Sequence, residues 1–450
     1  MNTWPHVMKL ARAAHAAGGR AFLVGGAVRD RLLGRAGKDA DVEVHGLSAE
    51  TVEALASQIG KVHLVGRQFA VLHVATPEGQ VEISLPRRES KTGPGHKGFT
   101  VSAEPNLGPL EASRRRDFTV NSMLEDPLTG EVLDPWDGRR DLRRGVLRHV
   151  SQAFAEDPLR VLRAGRFAAR LGWNMHPATA ALCRTLDLSE LPRERLEREW
   201  REILVTGDHP CQGLRVLEEC GALRFFPELA ALRGIPQDPV WHPEGDVLTH
   251  TALCLDAAVS IRGQMEDPWA EMLGVLCHDL GKATTTVFER GRWRSAGHDD
   301  AGADLTMSFL ARITEQSGLA EKVAALVREH LRPCQLHAAR AQVSEAAIRR
   351  LATRVDLRAL VRVAWADAAG RGEELPDPWP SSVWLLERAE ALGVRDAAPA
   401  AFLQGRDALA CGLPPGPRVG ELIRRAYELQ LDGGLASRAA ALDWLRAQIS

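Results

Sequence analysis

The stretch from Ala21 to His45 limits what this chain can fold into, because it sets a strand, a turn without side chains, a helix start and a second strand in quick succession. Phe22-Leu23-Val24 reads as a short buried strand, Gly25-Gly26 as the turn, and Ala27 to Leu33 as a helix closed by Gly34. Bare backbone N–H groups beside the positive end of a helix form a site for a phosphate. Asp39-Ala40-Asp41-Val42-Glu43-Val44-His45 then alternates with period two. As a strand it puts Ala40, Val42 and Val44 on the core face and Asp39 and Asp41 together on the other. Two carboxylates that close repel each other unless a cation lies between them. Next to a phosphate-holding turn they point to two Mg²⁺ ions clamping a nucleoside triphosphate for in-line displacement. Taken singly, a Gly-Gly turn is usually only a turn and Asp-x-Asp is common on solvated strands. Their order carries the argument.

The rest of the composition bounds the setting. A chain of 450 residues holds more than one domain. Its 45% hydrophobic and 26% charged residues are ordinary for a soluble globular protein. No apolar run approaches the ~20 residues of a membrane span. The N-terminus MNTWPHVMKL lacks a signal-peptide core, so a cytoplasmic location is expected. Seven scattered cysteines without a CxxC pair read as reduced thiols, mostly core filler. A net charge of −2 means that any nucleic-acid contact has to come from a local patch. The positive charge is nearly all arginine and gathers at 114–116, 139–148 and 160–201.

Along the chain, residues 1–20 read as a helix, as does Ala49 to Ile59, and Val62–Val65, Ala70–Val74 and Val81–Leu85 read as further strands of one sheet. Glu82 could be a third carboxylate, but a solvated sheet residue fits as well, and it is left out of the site. Arg87 to Lys91 running into 92–98 reads as a mobile loop. Arg114 to Met123 reads as a basic turn entering a helix. Glu156 to Arg170 reads as a helix with Pro158 at its first position. Arg160, Arg163, Arg166 and Arg170 fall on one face of it, where they repel unless an anion lies along them. Asp157 before a proline is also an ordinary N-cap. Helices over 191–201 and 213–223 read as structural. Pro376, Pro378 and Pro380 read as a linker before short helices.

GGAVRD followed by KDADVEV resembles the signature of the class II nucleotidyltransferases, the family of tRNA CCA-adding enzymes and bacterial poly(A) polymerases. Arg114-Arg115-Arg116-Asp117-Phe118-Thr119 resembles that family's RRDFT motif, whose last arginine, here Arg116, contacts the nucleotide. Asp134 to Gly138, with Asp141-Leu142 and Leu147-Arg148-His149, resembles the segment closing the head. Glu156-Asp157 with Arg160 matches the EDxxR motif. The resemblance implies an α+β fold: a polymerase-β-like head with a small mixed sheet over 1–150, then a helical neck over 151–235. It implies that Asp39 and Asp41 hold Mg²⁺, that Gly26, Arg29, Arg116, Arg163 and Arg166 position the nucleotide, and that Asp157 and Arg160 read the base. Cytosine and adenine present an amine donor beside a ring-nitrogen acceptor, which a carboxylate and a guanidinium match. Uracil and guanine reverse the pattern, at a cost of about 1–3 kcal/mol for each group left unpaired. In that family a flexible loop after the Asp-x-Asp strand switches C addition to A addition, and the full-length loop near 87–98 favours complete CCA addition.

Further on, WHPEGD with His250 and the Cys277-His278-Asp279-Leu280-Gly281-Lys282 stretch resemble family members that carry an HD domain with phosphatase and cyclic phosphodiesterase activity. The ligands implied are His250, His278, Asp279 and Asp367, with His298 and His330 as further candidates. Mixed N/O ligands suit a transition divalent ion, Ni²⁺ or Mn²⁺. An HD domain is expected over 236–375 and a tRNA-holding helical tail over 376–450. The partners implied are tRNA, CTP and ATP, as a monomer or a homodimer with no membrane. The rivals are a CC-only or A-only enzyme, a poly(A) polymerase, a regulatory protein-uridylyltransferase, and an HD phosphohydrolase whose head serves as an RNA-binding module.

Overall fold

The computed structural model describes residues 4–35, 40–64, 71–77, 79–91, 99–372 and 374–449, so Asp39 and the glycine-rich 92–98 lie outside the described residues. The chain divides into two units, Met1–Phe225 and Phe226–Ser450.

The first unit is built on a seven-stranded mixed sheet. Its strands are β1 (Arg20–Val24), β2 (Ala40–His45), β3 (Lys61–Leu64), β4 (Val71–Thr76), β5 (Gly79–Ser84), β8 (Leu124–Glu125) and β9 (Val132–Leu133), in the order β3-β4-β5-β2-β1-β8-β9. Two further strands, β6 (Arg87–Lys91) and β7 (Phe99–Ala103), pair with each other. The β2–β5 pair is parallel and sets Asp41 against Glu82, while β1 runs antiparallel to both β2 and β8. Alternation explains the burial: Ala40, Val42 and Val44 pack into a core with Val7, Leu10 and Ala14 of helix Pro5–Ala16 and Val52 of helix Ala49–Ala56. Ser48 caps the second of these helices by accepting from Thr51 N. The other face of β2 is buried as well, with Glu43 2% and His45 8% exposed.

Three local readings need correction. Arg87–Lys91 is a strand, because β7 supplies it with an antiparallel partner that lies across the segment 92–98. The basic run at 114–116 leaves a short helix, Pro109–Ser113, and enters a single 3₁₀ turn, Thr119–Asn121. The prolines after 376 do not form a linker throughout, since Pro380 opens a twelve-residue helix, Pro380–Ala391, where its missing N–H costs nothing.

Helix Leu159–Leu171 follows the sheet and packs on helix Pro210–Glu219 so closely that a Cβ on Gly165 would sit 2.7 Å from Leu217 Cγ. Among its described residues the second unit is helical apart from a small hairpin, Val287–Glu289 with Arg292–Arg294. Its helices Val247–Ile261, Pro268–Cys277, His298–Ile313, Leu319–Glu329 and Leu357–Ala369 enclose Leu255, Leu273, Leu276, Leu326 and Leu360. The tail builds its own small core from Leu403, Leu413, Leu422, Leu435 and Leu445. All seven cysteines are free, five of them buried. No helix among the described residues is long and apolar enough to cross a membrane. The α+β architecture expected from the sequence is the one observed, with a mixed-sheet head and a helical remainder.

Candidate functional site

In the first unit the end of β1, its glycine turn, β2, β5 and helix Leu159–Leu171 enclose a cavity of about 600 Å³. Gly25 has φ +68°, a left-handed conformation that disfavours any side chain. A Cβ there would stand 3.3 Å from Arg116 Nη1 and 3.4 Å from Asp41 Oδ2, so the glycine lets the turn approach both groups. Gly26 opens helix Gly26–Leu32, which at seven residues has a weak dipole. The charge of the cavity therefore comes from side chains: among the described residues nine arginines line it against four carboxylates, Asp41, Glu82, Asp117 and Asp157. Gly26, Arg29, Asp41, Arg116, Asp157, Arg160, Arg163 and Arg166 are all brought to this one cavity; Asp39 lies outside the described residues. Glu82, which the sequence reading leaves out, lines the same wall in register with Asp41.

The arginine helix departs from the expectation that only a bound anion could relieve its face. Arg163 Nε donates to Asp117 Oδ2 at 2.9 Å, Arg166 pairs with Glu199 at 3.3 Å and Arg170 with Asp30 at 3.1 Å. Arg160 donates both terminal nitrogens to the carbonyls of Ala153 and Arg115, each at 2.6 Å. Arg29 is 2% exposed, donates to Asp30 and Asn121 and lies against the Phe167 ring. Burial lowers its pKa and that of Arg166, while the Asp117 and Glu199 carboxylates outweigh burial at Arg163. Asp117 goes the other way: despite burial, Arg163, Asn121 and the Phe118 N–H hold its carboxyl well below the usual range. Burial likewise opposes Glu43, yet His45 with Arg116 and Arg115 holds it at about 2.

Asp157 both caps the arginine helix, accepting from Leu159 N at 3.1 Å, and receives Arg195 Nη2 at 3.3 Å. Helix Arg193–Arg201, read as structural, thus brings Arg195 to the cavity and Glu199 to Arg166. Arg195, Glu199, Asp117 and Glu43 are the residues the sequence reading passes over. Glu43 had a signal, since it shares the face of Asp41 two residues on. The pairing of Arg195 with Asp157, 38 positions away, had none.

The second unit gathers His250, His278, Asp279, His298, His330 and Asp367, none more than 8% exposed. His250 Nε2 lies 3.1 Å from Asp367 Oδ1, and His278 Nε2 lies 3.2 Å from Asp279 Oδ2. His298 Nε2 faces Asp279 Oδ1 at 3.4 Å and His330 Nε2 at 3.4 Å. Glu271 and Arg362 form a buried two-pronged pair at 2.6 and 2.9 Å, tying the helix before His278 to the helix bearing Asp367. Glu244, which the sequence reading does not single out, accepts from His250 Nδ1 at 2.6 Å and from His242 Nδ1 at 2.9 Å. Burial opposes its ionisation, but those two hydrogen bonds hold its carboxyl at about 2. Cys254 Sγ stands 3.4 Å from His250 Nε2. Lys282 reaches Asp279 at 2.7 Å, Arg371 reaches Asp367 at 3.2 Å, and both line an open cavity of about 260 Å³ above the cluster. The donor set of imidazole nitrogens, carboxylates and one thiol suits a divalent transition ion.

Comparison with known proteins agrees with both halves. Residues 21–148 match the Poly A polymerase head domain and residues 247–369 match the HD domain. A multifunctional CCA protein of Alkalilimnicola ehrlichii is 38% identical over 392 residues, covering 84% of this chain and 91% of that protein. The fold is similar to that of the Bacillus stearothermophilus CCA-adding enzyme solved with CTP, with a TM-score of 0.64, 22% identity and coverage of 100% and 98% of the two chains. It is also similar to the Thermotoga maritima CCA-adding enzyme complexed with tRNA, with a TM-score of 0.57, 18% identity and coverage of 98% and 94%. The chain belongs to the multifunctional CCA protein family.

Proposed function

We propose that this chain adds C, C and A to the 3′ end of tRNA, joining the tRNA 3′-hydroxyl to the α-phosphate of CTP or ATP with release of pyrophosphate. The observation that carries the reading is the arginine-lined cavity, with Asp41 at the glycine turn and Asp157 at the start of the arginine helix. Asp39 and Asp41 would hold Mg²⁺, and the hard oxygens of Asp41 and its neighbour Glu82 fit such an ion. When bound, Mg²⁺ offsets charge on the phosphates and acidifies the attacking hydroxyl. Gly26 offers its backbone to the triphosphate, while Arg29, Arg116, Arg163 and Arg166 hold the triphosphate and sugar. Asp157 accepts from the exocyclic amine of cytosine or adenine, and Arg160 donates to the ring nitrogen. Arg195 fixes the carboxylate of Asp157 against the helix start.

In the second unit His250, His278, Asp279 and Asp367 would hold a transition divalent ion, Ni²⁺ or Mn²⁺, in a phosphohydrolase site. Lys282 and Arg371 at the cavity wall give it the sign that a phosphate ester requires. The four-part division follows: head 1–150, neck 151–235, HD domain 236–375, and a tail 376–450 that holds the tRNA, in a cytoplasmic enzyme.

The test uses tRNA transcripts ending at the discriminator base, at C and at CC, with CTP and ATP singly and together and UTP and GTP as controls. Completion of CCA followed by a stop is expected, with Asp41→Ala losing incorporation while retaining tRNA binding. Incorporation on the CC-ending transcript alone would make the chain an A-adding partner of a second enzyme. No incorporation on any transcript would overturn the reading and move the function to the HD half.

A further inference from the structure

Against the arginines of the nucleotide cavity lies a row of aromatic rings. Phe167 lines the cavity and is 7% exposed. Three guanidiniums lie over its ring, with Cζ of Arg166 4.9 Å, of Arg29 5.1 Å and of Arg163 5.5 Å from the centroid. Phe118, fully buried, meets that ring edge to face, with centroids 5.6 Å apart and planes at 86°. It meets Phe154 in the same manner at 5.6 Å and 62°, and Phe154 carries Arg160 at 6.0 Å. Edge-to-face contacts are the arrangement that aromatic quadrupoles favour, and they hold each ring in its plane. Four of the arginines assigned to the nucleotide thus stand on one row of phenyl rings.

The carboxylates that pair with the three cations on Phe167 are separate ones: Arg29 has Asp30, Arg163 has Asp117 and Arg166 has Glu199. The Phe167 ring is a partner that all three share. Like charges brought to one place repel, and burial, followed by the charge of Arg163, lowers the pKa of Arg166. A carboxylate set among them would relieve that repulsion by cancelling the charge that a triphosphate needs. The face of a phenyl ring attracts a cation through its quadrupole and carries no net charge. It therefore gathers the guanidiniums and leaves their charge to the ligand. Desolvation strengthens the attraction, and this ring is nearly buried. An aliphatic side chain of similar volume would fill the space and offer the cations nothing.

We infer that Phe167 is a positioning residue for the nucleotide: its ring holds Arg29, Arg163 and Arg166 together so that all three meet one triphosphate. The inference rests on the nucleotide reading of this cavity and goes beyond it, because the ring acts through the three arginines and not on the substrate. A group that serves the ground state and the transition state alike changes KM and leaves kcat. A side chain that only fills the core lowers stability and the share of active molecules, and leaves the affinity of those that stay folded.

The test replaces Phe167, in the full-length chain, by phenylalanines bearing one, two and three ring fluorines, and separately by leucine (Phe167→Leu). Fluorine hardly changes the size of the ring but draws electron density from its face, so each added atom weakens the hold on a cation. Calorimetry with Mg²⁺ reads the binding of CTP and of inorganic triphosphate. Incorporation on tRNA transcripts gives KM and kcat, and thermal unfolding reports stability. The Kd of both ligands and the KM for CTP and ATP are expected to rise stepwise with fluorination, at an unchanged melting temperature. Phe167→Leu is expected to raise them about tenfold, with kcat within about threefold of the parent. Affinities that stay level across the fluorinated chains would overturn the inference and leave the ring a packing residue. Weaker CTP binding with unchanged triphosphate binding would overturn the action through the arginines. A parent that binds CTP with the fluorine dependence yet incorporates nothing would support the inference and remove the CCA-adding reading. A parent that binds neither ligand would overturn both. The fluorinated chains decide the question even if Phe167→Leu fails to fold.

Discussion

Asp117 shows how one residue can hold a site together without being part of its chemistry. It is 6% exposed, receives Arg163 and Asn121 through its side-chain oxygens, and accepts the Phe118 N–H. Its carboxyl is held well below the ordinary value of about 4, so the stabilisation is complete above that value and fades as pH falls through the lowered one. Asp117→Asn is therefore expected to cost about 2–3 kcal/mol at pH 7, the range for hydrogen bonds to a buried charge. The difference from the parent should shrink as pH falls below about 4, where the carboxyl of the unfolded chain takes up a proton that the folded chain still excludes. Urea unfolding followed at pH 7 and at steps down to pH 3 reads both the cost and its decline, and a pH-independent difference would show that charge is not the cause. The sequence motif presents Asp117 only as the residue after Arg116. Its partner lies 46 positions on, which is why its role was not legible before the fold was known.

At the scale of elements, period-two and period-three-to-four spacing was enough to place strands β1 to β5 and the arginine helix, because core burial obeys those periods, while the two-residue strands β8 and β9 are too short to show a period. It failed where pairing rather than burial makes the element. Strand β6, Arg-Arg-Glu-Ser-Lys, has no apolar alternation, and only β7 makes it a strand. It failed again at the arginine face, whose acid partners come from the bend before the 3₁₀ turn, helix Gly26–Leu32 and helix Arg193–Arg201. The HD half carries a sharper packing constraint. A Cβ on Gly281 would fall well inside contact with the backbone of His298 and 2.6 Å from Gly302 N, so the glycine two residues after Asp279 lets helix His298–Ile313 come close enough for His298 to face Asp279. Gly281→Ala is expected to cost about 2–3 kcal/mol through overpacking and to lower bound Mn²⁺. Thermal unfolding and metal content of the same preparation check this. Unchanged metal content in a destabilised variant would mean that the clash relaxes away from His298.

The whole molecule places its two candidate sites in separate units. Among the described residues, every one lining the arginine-rich cavity belongs to 1–225 and every one of the histidine cluster to 226–450. Substitutions that share no partner generally act additively. This predicts a double dissociation in the full-length chain. His278→Ala should abolish phosphate release from an ester substrate yet leave CTP and ATP incorporation within about twofold of the parent, a change of about 0.4 kcal/mol. Asp41→Ala should abolish incorporation and leave phosphate release within the same margin. Both activities measured on each variant and on the double variant test the idea. If His278→Ala slowed incorporation tenfold or changed where addition stops, about 1.4 kcal/mol of coupling would join the sites. The two reactions would then have to be treated as one function, in which the helical unit governs how the tRNA end is handled by the head.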